Sequence, residues 1–173
     1  IKDWCEPIDK LYLANDNCPN QVLLCGDPAA TKEISEILQR EKIYFQALAY
    51  QSGYHTPYMA PKLVGFEEFM GEFTLNQPEI PIWSATTLGQ YPTDSKEFLK
   101  LMVDHLTTTV RFRELIDKLY TEQKARVFIQ VGTGSTVSFV DDTLKDRKYA
   151  AIATHVQGRS GLEQLRRVLA LLY

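Results

Sequence analysis

The run Val127-Phe128-Ile129-Gln130-Val131 constrains the fold more than any other stretch of this chain. It is strand-length and apolar, and such a run reads as a strand buried on both faces. That is the habit of parallel strands covered by helices. Gly132-Thr133-Gly134-Ser135 then turns the chain into a helix, with Ser135 as its N-cap. Residues 150–154 read as a last strand. Ser160 and Glu163 form a capping box for a final helix with Leu162, Leu165, Leu169 and Leu172 on one face.

Upstream the same alternation holds. Residues 11–14 and 21–25 read as short strands around a turn cluster, Asn15-Asp16-Asn17-Cys18-Pro19-Asn20. Asp27 and Pro28 are the N-cap and first position of a helix whose stripe is Ala30, Ile34, Ile37 and Leu38. Residues 43–50 read as a strand. A helix is expected over 61–73 with Leu63, Phe66, Phe69 and Met70 inward, then a short strand over 82–86. Thr93 or Asp94 caps a helix with Phe98, Leu101, Met102 and Leu106 inward, and residues 111–123 form another with Phe112, Leu115, Ile116 and Leu119 inward. Alternating strands and helices imply an α/β fold, with the C-terminal strands in a mainly parallel sheet.

With 22 acidic and 19 basic side chains the net charge is −3, which gives no support for nucleic-acid binding. The three cysteines, Cys5, Cys18 and Cys25, lack metal-ligand spacing and read as reduced thiols of a cytoplasmic protein. No metal is implied, no apolar run reaches the length of a membrane span, and no signal peptide is visible. Ile1 is not an initiator methionine, so the sequence is expected to be a fragment, a processed product or a trimmed form.

Of the three histidines, His55 stands out. Ser52 and Gly53 allow a sharp turn before it, which places a candidate general base at a strand end, after the strand expected over 43–50, rather than inside a packed element. His105 falls near a helix C-terminus, where a histidine suits the dipole. His155 reads as a loop residue. Gly132-Thr133-Gly134 lacks the third glycine of a dinucleotide loop and reads as a tight turn.

Ser52-Gly53-Tyr54-His55, followed by Thr56, Pro57 and Met59, resembles the histidine motif of the malonyl-CoA:acyl-carrier-protein acyltransferases. That family includes the acyltransferase domains of polyketide and fatty acid synthases. The stretch from Asn17 through Pro19, Val22 and Gly26, the pair Trp83-Ser84, and Leu106, Val110, Arg111 and Phe112 also resemble the family pattern. Phe128-Ile129-Gln130-Val131-Gly132-Thr133-Gly134 is similar to its strand-Glu-Val-Gly-Pro-Gly signature, with Gln130 and Thr133 departing from it. Thr109 stands where the family has proline and His105 where it has asparagine.

The resemblance implies part of a ferredoxin-like small subdomain over residues 1–58, ending at the histidine motif. The C-terminal part of a large α/β-hydrolase-like core would follow over 59–173. It implies a serine nucleophile on a Gly-His-Ser-x-Gly elbow, with His55 as catalytic base and His105 positioning it. Ser52, Gly53 and Tyr54 would govern extender choice, and bulky Tyr54 favours malonyl over methylmalonyl. No such elbow occurs in the 173 residues, so the nucleophile is expected upstream, and this stretch alone is expected to be inactive. The substrates implied are malonyl-CoA and the phosphopantetheine-carrying acyl carrier protein, with no bound cofactor. The partners implied are that carrier protein, the upstream half of the domain and neighbouring synthase domains. A non-catalytic acyltransferase-like scaffold that docks a carrier protein or neighbouring domain is the alternative. A thioester hydrolase on the same fold would differ only in whether water or a thiol attacks.

Overall fold

The computed structural model describes residues 2–49 and 52–173. They divide into two compact units, Ile1–Asp16 with Val22–Arg111, and Asn17–Gln21 with Phe112–Tyr173. The fold is mixed α/β. Among the described residues no helix is long and apolar enough to cross a membrane, and no group of His, Cys, Asp and Glu is placed to hold a metal ion.

The first unit begins with a short helix, α1 (Lys2–Cys5), and holds most of the hairpin of β1 (Leu11–Cys18) and β2 (Gln21–Gly26), whose tip, Asn17–Gln21, is assigned to the second unit. The strands run further than their apolar residues predict, so of the expected turn cluster only Pro19 and Asn20 turn. α2 (Pro28–Arg40) follows, and the Asp27 carboxylate accepts from the Ala30 N–H at 2.9 Å, as its position predicts. Ala30, Ile34 and Leu38 are buried with Cys5, Ile8 and Leu11, and Trp4, Leu24, Ile37 and Ile43 pack against them.

Residues 43–49 carry no strand, contrary to their composition, and Tyr50 lies outside the described residues. A strand needs a ladder partner, and none pairs with this segment among the described residues. Tyr44 is 89% exposed as a result. The helix expected over 61–73 is also replaced. A 3₁₀ helix (Pro57–Lys62) comes first, and α3 (Phe66–Gly71) starts only after Gly65, whose φ of +77° breaks the helical path. Its expected inward face is not buried, and Phe69 and Phe73 meet edge to face as exposed rings. Residues 82–86 form a turn closed by an isolated Trp83–Gln90 bridge instead of a strand.

α4 (Ser95–His105) is capped by Asp94, whose carboxylate accepts from the N–H groups of Lys96 and Glu97 at 3.0 Å. Residues beyond it run beside β1. The Val110 N–H donates to the Ala14 carbonyl (2.9 Å) and the Asp16 N–H to the Val110 carbonyl (2.8 Å). The Thr109 hydroxyl donates to the Leu13 carbonyl at 2.6 Å, a bond that proline could not make.

The second unit holds α5 (Phe112–Thr121), β3 (Val127–Gln130), α6 (Thr136–Thr143), β4 (Ala150–Ala153) and α7 (Gly161–Leu172). β3 and β4 pair in parallel with Val127 opposite Ala150, and α6 makes the crossover that a parallel pair requires. Ile116, Val140 and Leu144 form the core, with Phe112, Tyr120, Phe128, Tyr149 and Ala151 packed on it. β3 is not buried on both faces. Phe128 faces the core, while Val127 and Ile129 are exposed on the other side. α7 seats Gln164 and Val168, with the Gln164 amide donating to the Ala153 carbonyl at 2.6 Å. Of its leucine face, Leu162, Leu165, Leu169 and Leu172 are all exposed.

Ser135 holds the N-cap position of α6, as its sequence context predicts, but its side chain makes no capping bond. Gln130 supplies that bond from the end of β3. Its amide oxygen accepts from the Thr136 hydroxyl (2.7 Å) and the Val137 N–H (3.0 Å). Its amide nitrogen donates to the carbonyls of Gly132 and Gly134, both at 3.1 Å. One side chain thus holds the whole turn, in which Gly132 and Gly134 adopt φ of +93° and +134°.

Candidate functional site

The site lies within the first unit, where the turn after residue 51 meets the C-terminus of α4. Gly53 has φ of +73°, and a Cβ there would lie 3.1 Å from Tyr58 Cβ. The position therefore needs glycine twice over, for its conformation and for its space. Thr56 is almost fully buried and donates its hydroxyl to the Gly53 carbonyl at 2.7 Å, which closes the turn. The Met59 N–H donates to the Thr56 carbonyl and starts the 3₁₀ helix. Lys62 Nζ donates to the Ser52 carbonyl at 3.0 Å.

His55 sits between these anchors with φ of +62°. For a residue other than glycine this left-handed conformation is disfavoured, and it persists where surrounding bonds hold it. Two bonds do so. The His55 N–H donates to the Leu106 carbonyl and His55 Nδ1 donates to the His105 carbonyl, each at 2.8 Å. A carbonyl oxygen can only accept, so the proton of the neutral ring is on Nδ1 and the Nε2 lone pair is left open. Both acceptors belong to the end of α4, whose last carbonyls lack intrahelical donors.

His105, the last residue of α4, contributes more than its carbonyl. Its ring lies 4.8 Å from the His55 ring, centre to centre, at 59°. Its Nδ1 is 2.6 Å from the Thr86 hydroxyl oxygen. Burial, and secondarily the charge that His55 can carry, push the His105 pKa below its ordinary 6.5. Both causes disfavour the charged form of the ring. Tyr54 is half-exposed beside His55, their ring centres 6.3 Å apart. The structure thus gathers Ser52, Gly53, Tyr54, His55 and His105 in one place. His155 is exposed in a loop after β4, as its sequence context suggests.

Sequence reasoning does not find Thr86 or the Leu106 carbonyl. The first is hidden in a segment that reads as a strand. The second is a main-chain group, and only its place after the helix points to it. Chemically, the arrangement offers one oriented imidazole with an open nitrogen and a second imidazole, anchored on Thr86, behind it.

The pattern of the acyl transferase domain family matches residues 3–170. The chain is 27% identical over 139 residues to a polyunsaturated fatty acid synthase polypeptide of Thraustochytrium sp., covering 79% of this chain and 5% of that one. It is 26% identical over 137 residues to the polyketide synthase GfsB of Streptomyces halstedii, covering 76% and 2%. Among solved structures, the acyltransferase domain from the second module of the salinomycin polyketide synthase superposes with a TM-score of 0.83 at 24% identity, covering 98% of this chain and 41% of that one. The malonyl CoA-acyl carrier protein transacylase of Clostridium perfringens gives a TM-score of 0.80 at 20% identity, covering 98% and 52%. A type II polyketide malonyl-transacylase solved with its acyl-carrier protein gives 0.78 at 18%, covering 92% and 51%. The chain thus spans about half of these solved structures, and a small part of the curated synthases.

Proposed function

The chain belongs to the acyl transferase domain family, and from that footing we propose that it carries the general base of a malonyl-type acyltransferase in a polyketide or fatty-acid-type synthase. The observation that carries this reading is the strained His55, tied through Nδ1 to the His105 carbonyl with Nε2 open. The two bonds that hold the left-handed backbone also orient the ring, which supports a chemical task for it.

In this reading a serine outside the chain is the nucleophile. His55 Nε2 takes the serine hydroxyl proton as the serine oxygen attacks the thioester carbonyl of malonyl-CoA. The C–S bond breaks, coenzyme A leaves as its thiol with the proton from the imidazolium, and malonyl remains as a serine ester. His55 then takes the proton of the carrier protein's phosphopantetheine thiol. That sulfur attacks the ester, and the serine oxygen leaves with the proton. In each half the imidazolium is transient, and the end of α4 stabilises it through the His105 carbonyl and the helix dipole. Ser52, Gly53 and Tyr54 set the extender unit, and Tyr54 favours malonyl by crowding a branched α-carbon.

The reaction needs no resident cofactor. The partners are an acyl carrier protein, neighbouring synthase domains and the upstream half of the domain, in the cytoplasm. The division at residue 58 into a ferredoxin-like part and the start of the large core belongs to the same proposal. The exposed leucine face of α7 and the exposed Val127 and Ile129 of β3 support a missing half, because such faces normally meet other chain segments. This chain without its nucleophile would not turn over.

The test is to treat the full-length protein with malonyl-CoA and map the adduct by mass spectrometry. A malonyl ester on one serine, formed slowly or not at all in His55→Gln, is expected. A protein that binds carrier protein but never gains the ester would be the non-catalytic scaffold.

A further inference from the structure

Thr86 takes no part in the proton transfers, yet its hydroxyl makes one of the shortest side-chain bonds described in the first unit. The turn that carries it is built to hold it still. Trp83 bridges Gln90, the Ser84 N–H donates to the Gly89 carbonyl at 2.8 Å, and the Leu88 N–H donates to the Ser84 carbonyl at 2.9 Å. The buried Ser84 hydroxyl accepts from the N–H groups of Thr86 (3.1 Å) and Thr87 (3.4 Å). Leu88 takes a left-handed φ of +57° to complete the turn. The Arg111 N–H, donating to the Ala85 carbonyl at 2.8 Å, ties the turn to the segment after α4.

From this frame the Thr86 hydroxyl reaches His105 Nδ1 at 2.6 Å, and the His105 carbonyl holds His55 Nδ1 at 2.8 Å. The His105 ring also lies against the His55 ring. An asparagine at position 105 could offer the same carbonyl but not this ring. A histidine ring there is a lever on its own backbone and a wall beside the base, and it needs an anchor.

We propose that Thr86 is a positioning residue for the base. Its hydroxyl fixes the His105 imidazole, and so fixes both the carbonyl that orients His55 and the surface His55 rests on. This rests on the reading of His55 as the base. A base misplaced by a fraction of an ångström loses rate steeply without losing substrate, because the cost falls on the transition state.

The test compares Thr86→Val, which keeps shape and loses the hydroxyl, with Thr86→Ser, which keeps the hydroxyl, in the full-length protein. Malonyl transfer to carrier protein is followed, with His55→Gln in parallel. Thr86→Val should lower kcat about tenfold or more with KM for malonyl-CoA unchanged. Thr86→Ser should stay within about twofold. The ¹⁵N shifts of the His55 ring should show the Nδ1-protonated form in the parent and in Thr86→Ser, and a mixture in Thr86→Val. Thr86→Ala, which cannot clash, takes the place of the valine variant if that one does not fold. Parental kcat in Thr86→Val or Thr86→Ala, or equal loss in Thr86→Ser, overturns the proposal. If His55→Gln is inactive at the same time, the reading of His55 stands and only the role of Thr86 falls. If His55→Gln is fully active, both fall.

Discussion

His55 Nδ1 lies 2.8 Å from the His105 carbonyl, and the His55 N–H donates to the next carbonyl, that of Leu106, at 2.8 Å. The end of one helix therefore fixes both the backbone and the ring of the same histidine. This matters because the backbone at His55 is left-handed, a conformation that persists where its surroundings hold it.

The His105 ring gives a pH signature. Burial and the neighbouring His55 lower its pKa, so the folded protein binds fewer protons than the unfolded chain below the ordinary value of 6.5. Stability then rises with pH up to that value and falls as pH drops below it. Denaturation midpoints between about pH 5 and 8 should show this slope in the parent and a flatter one in His105→Asn. An unchanged slope would remove the account of a His105 ring whose charged form is disfavoured.

Gly53→Ala should destabilise the protein by roughly 1–2 kcal/mol from the left-handed backbone alone. The contact with Tyr58 Cβ, 3.1 Å from where the new methyl would sit, should add to that. Urea denaturation reads this directly. Gly65→Ala is the control, since it shares the positive φ but has nothing within 4 Å, and it should lose less.

Gln130 bonds through both ends of its amide, which separates two effects. Gln130→Leu removes the cap of α6 and the anchors of the glycine turn, and should cost about 1–3 kcal/mol. Gln130→Glu keeps the acceptor toward Thr136 and Val137 but faces the carbonyls of Gly132 and Gly134 with a second acceptor. It should fall between the parent and the leucine variant in a thermal melt.

Where bonds are local, the sequence predicts the structure well. Asp27 and Asp94 cap their helices as their positions before helical stripes require. The turn around His55 is legible in part, since the Thr56 hydroxyl closes it on the Gly53 carbonyl, while the bonds that hold His55 itself come from the distant end of α4. Residues 43–49 mislead because a strand is a relation to a partner, and composition says nothing of whether one is there. The helix expected over 61–73 fails at Gly65, which marks the break in the sequence itself. The Gln130 cap is not legible because it reaches across the turn from a strand, whereas caps usually come from the adjoining residue. The α7 leucines do share a face as their spacing says, and that face is left exposed.

Tyr54→Ser in the full-length protein should raise methylmalonyl use relative to malonyl in a competition assay. The side chain is half-exposed beside His55, so its loss should open space without unfolding the turn. An unchanged ratio would remove Tyr54 from the specificity account.

The most direct measurement is the rate of malonyl transfer to carrier protein by His55→Gln in the full-length protein. Glutamine cannot act as a base, and the loss expected for removing one is about 10²- to 10⁴-fold in kcat. A fall in that range is predicted, with the folded state intact by circular dichroism. Transfer at the parental rate would contradict the role of His55 as base, and it would then be a structural residue of the turn.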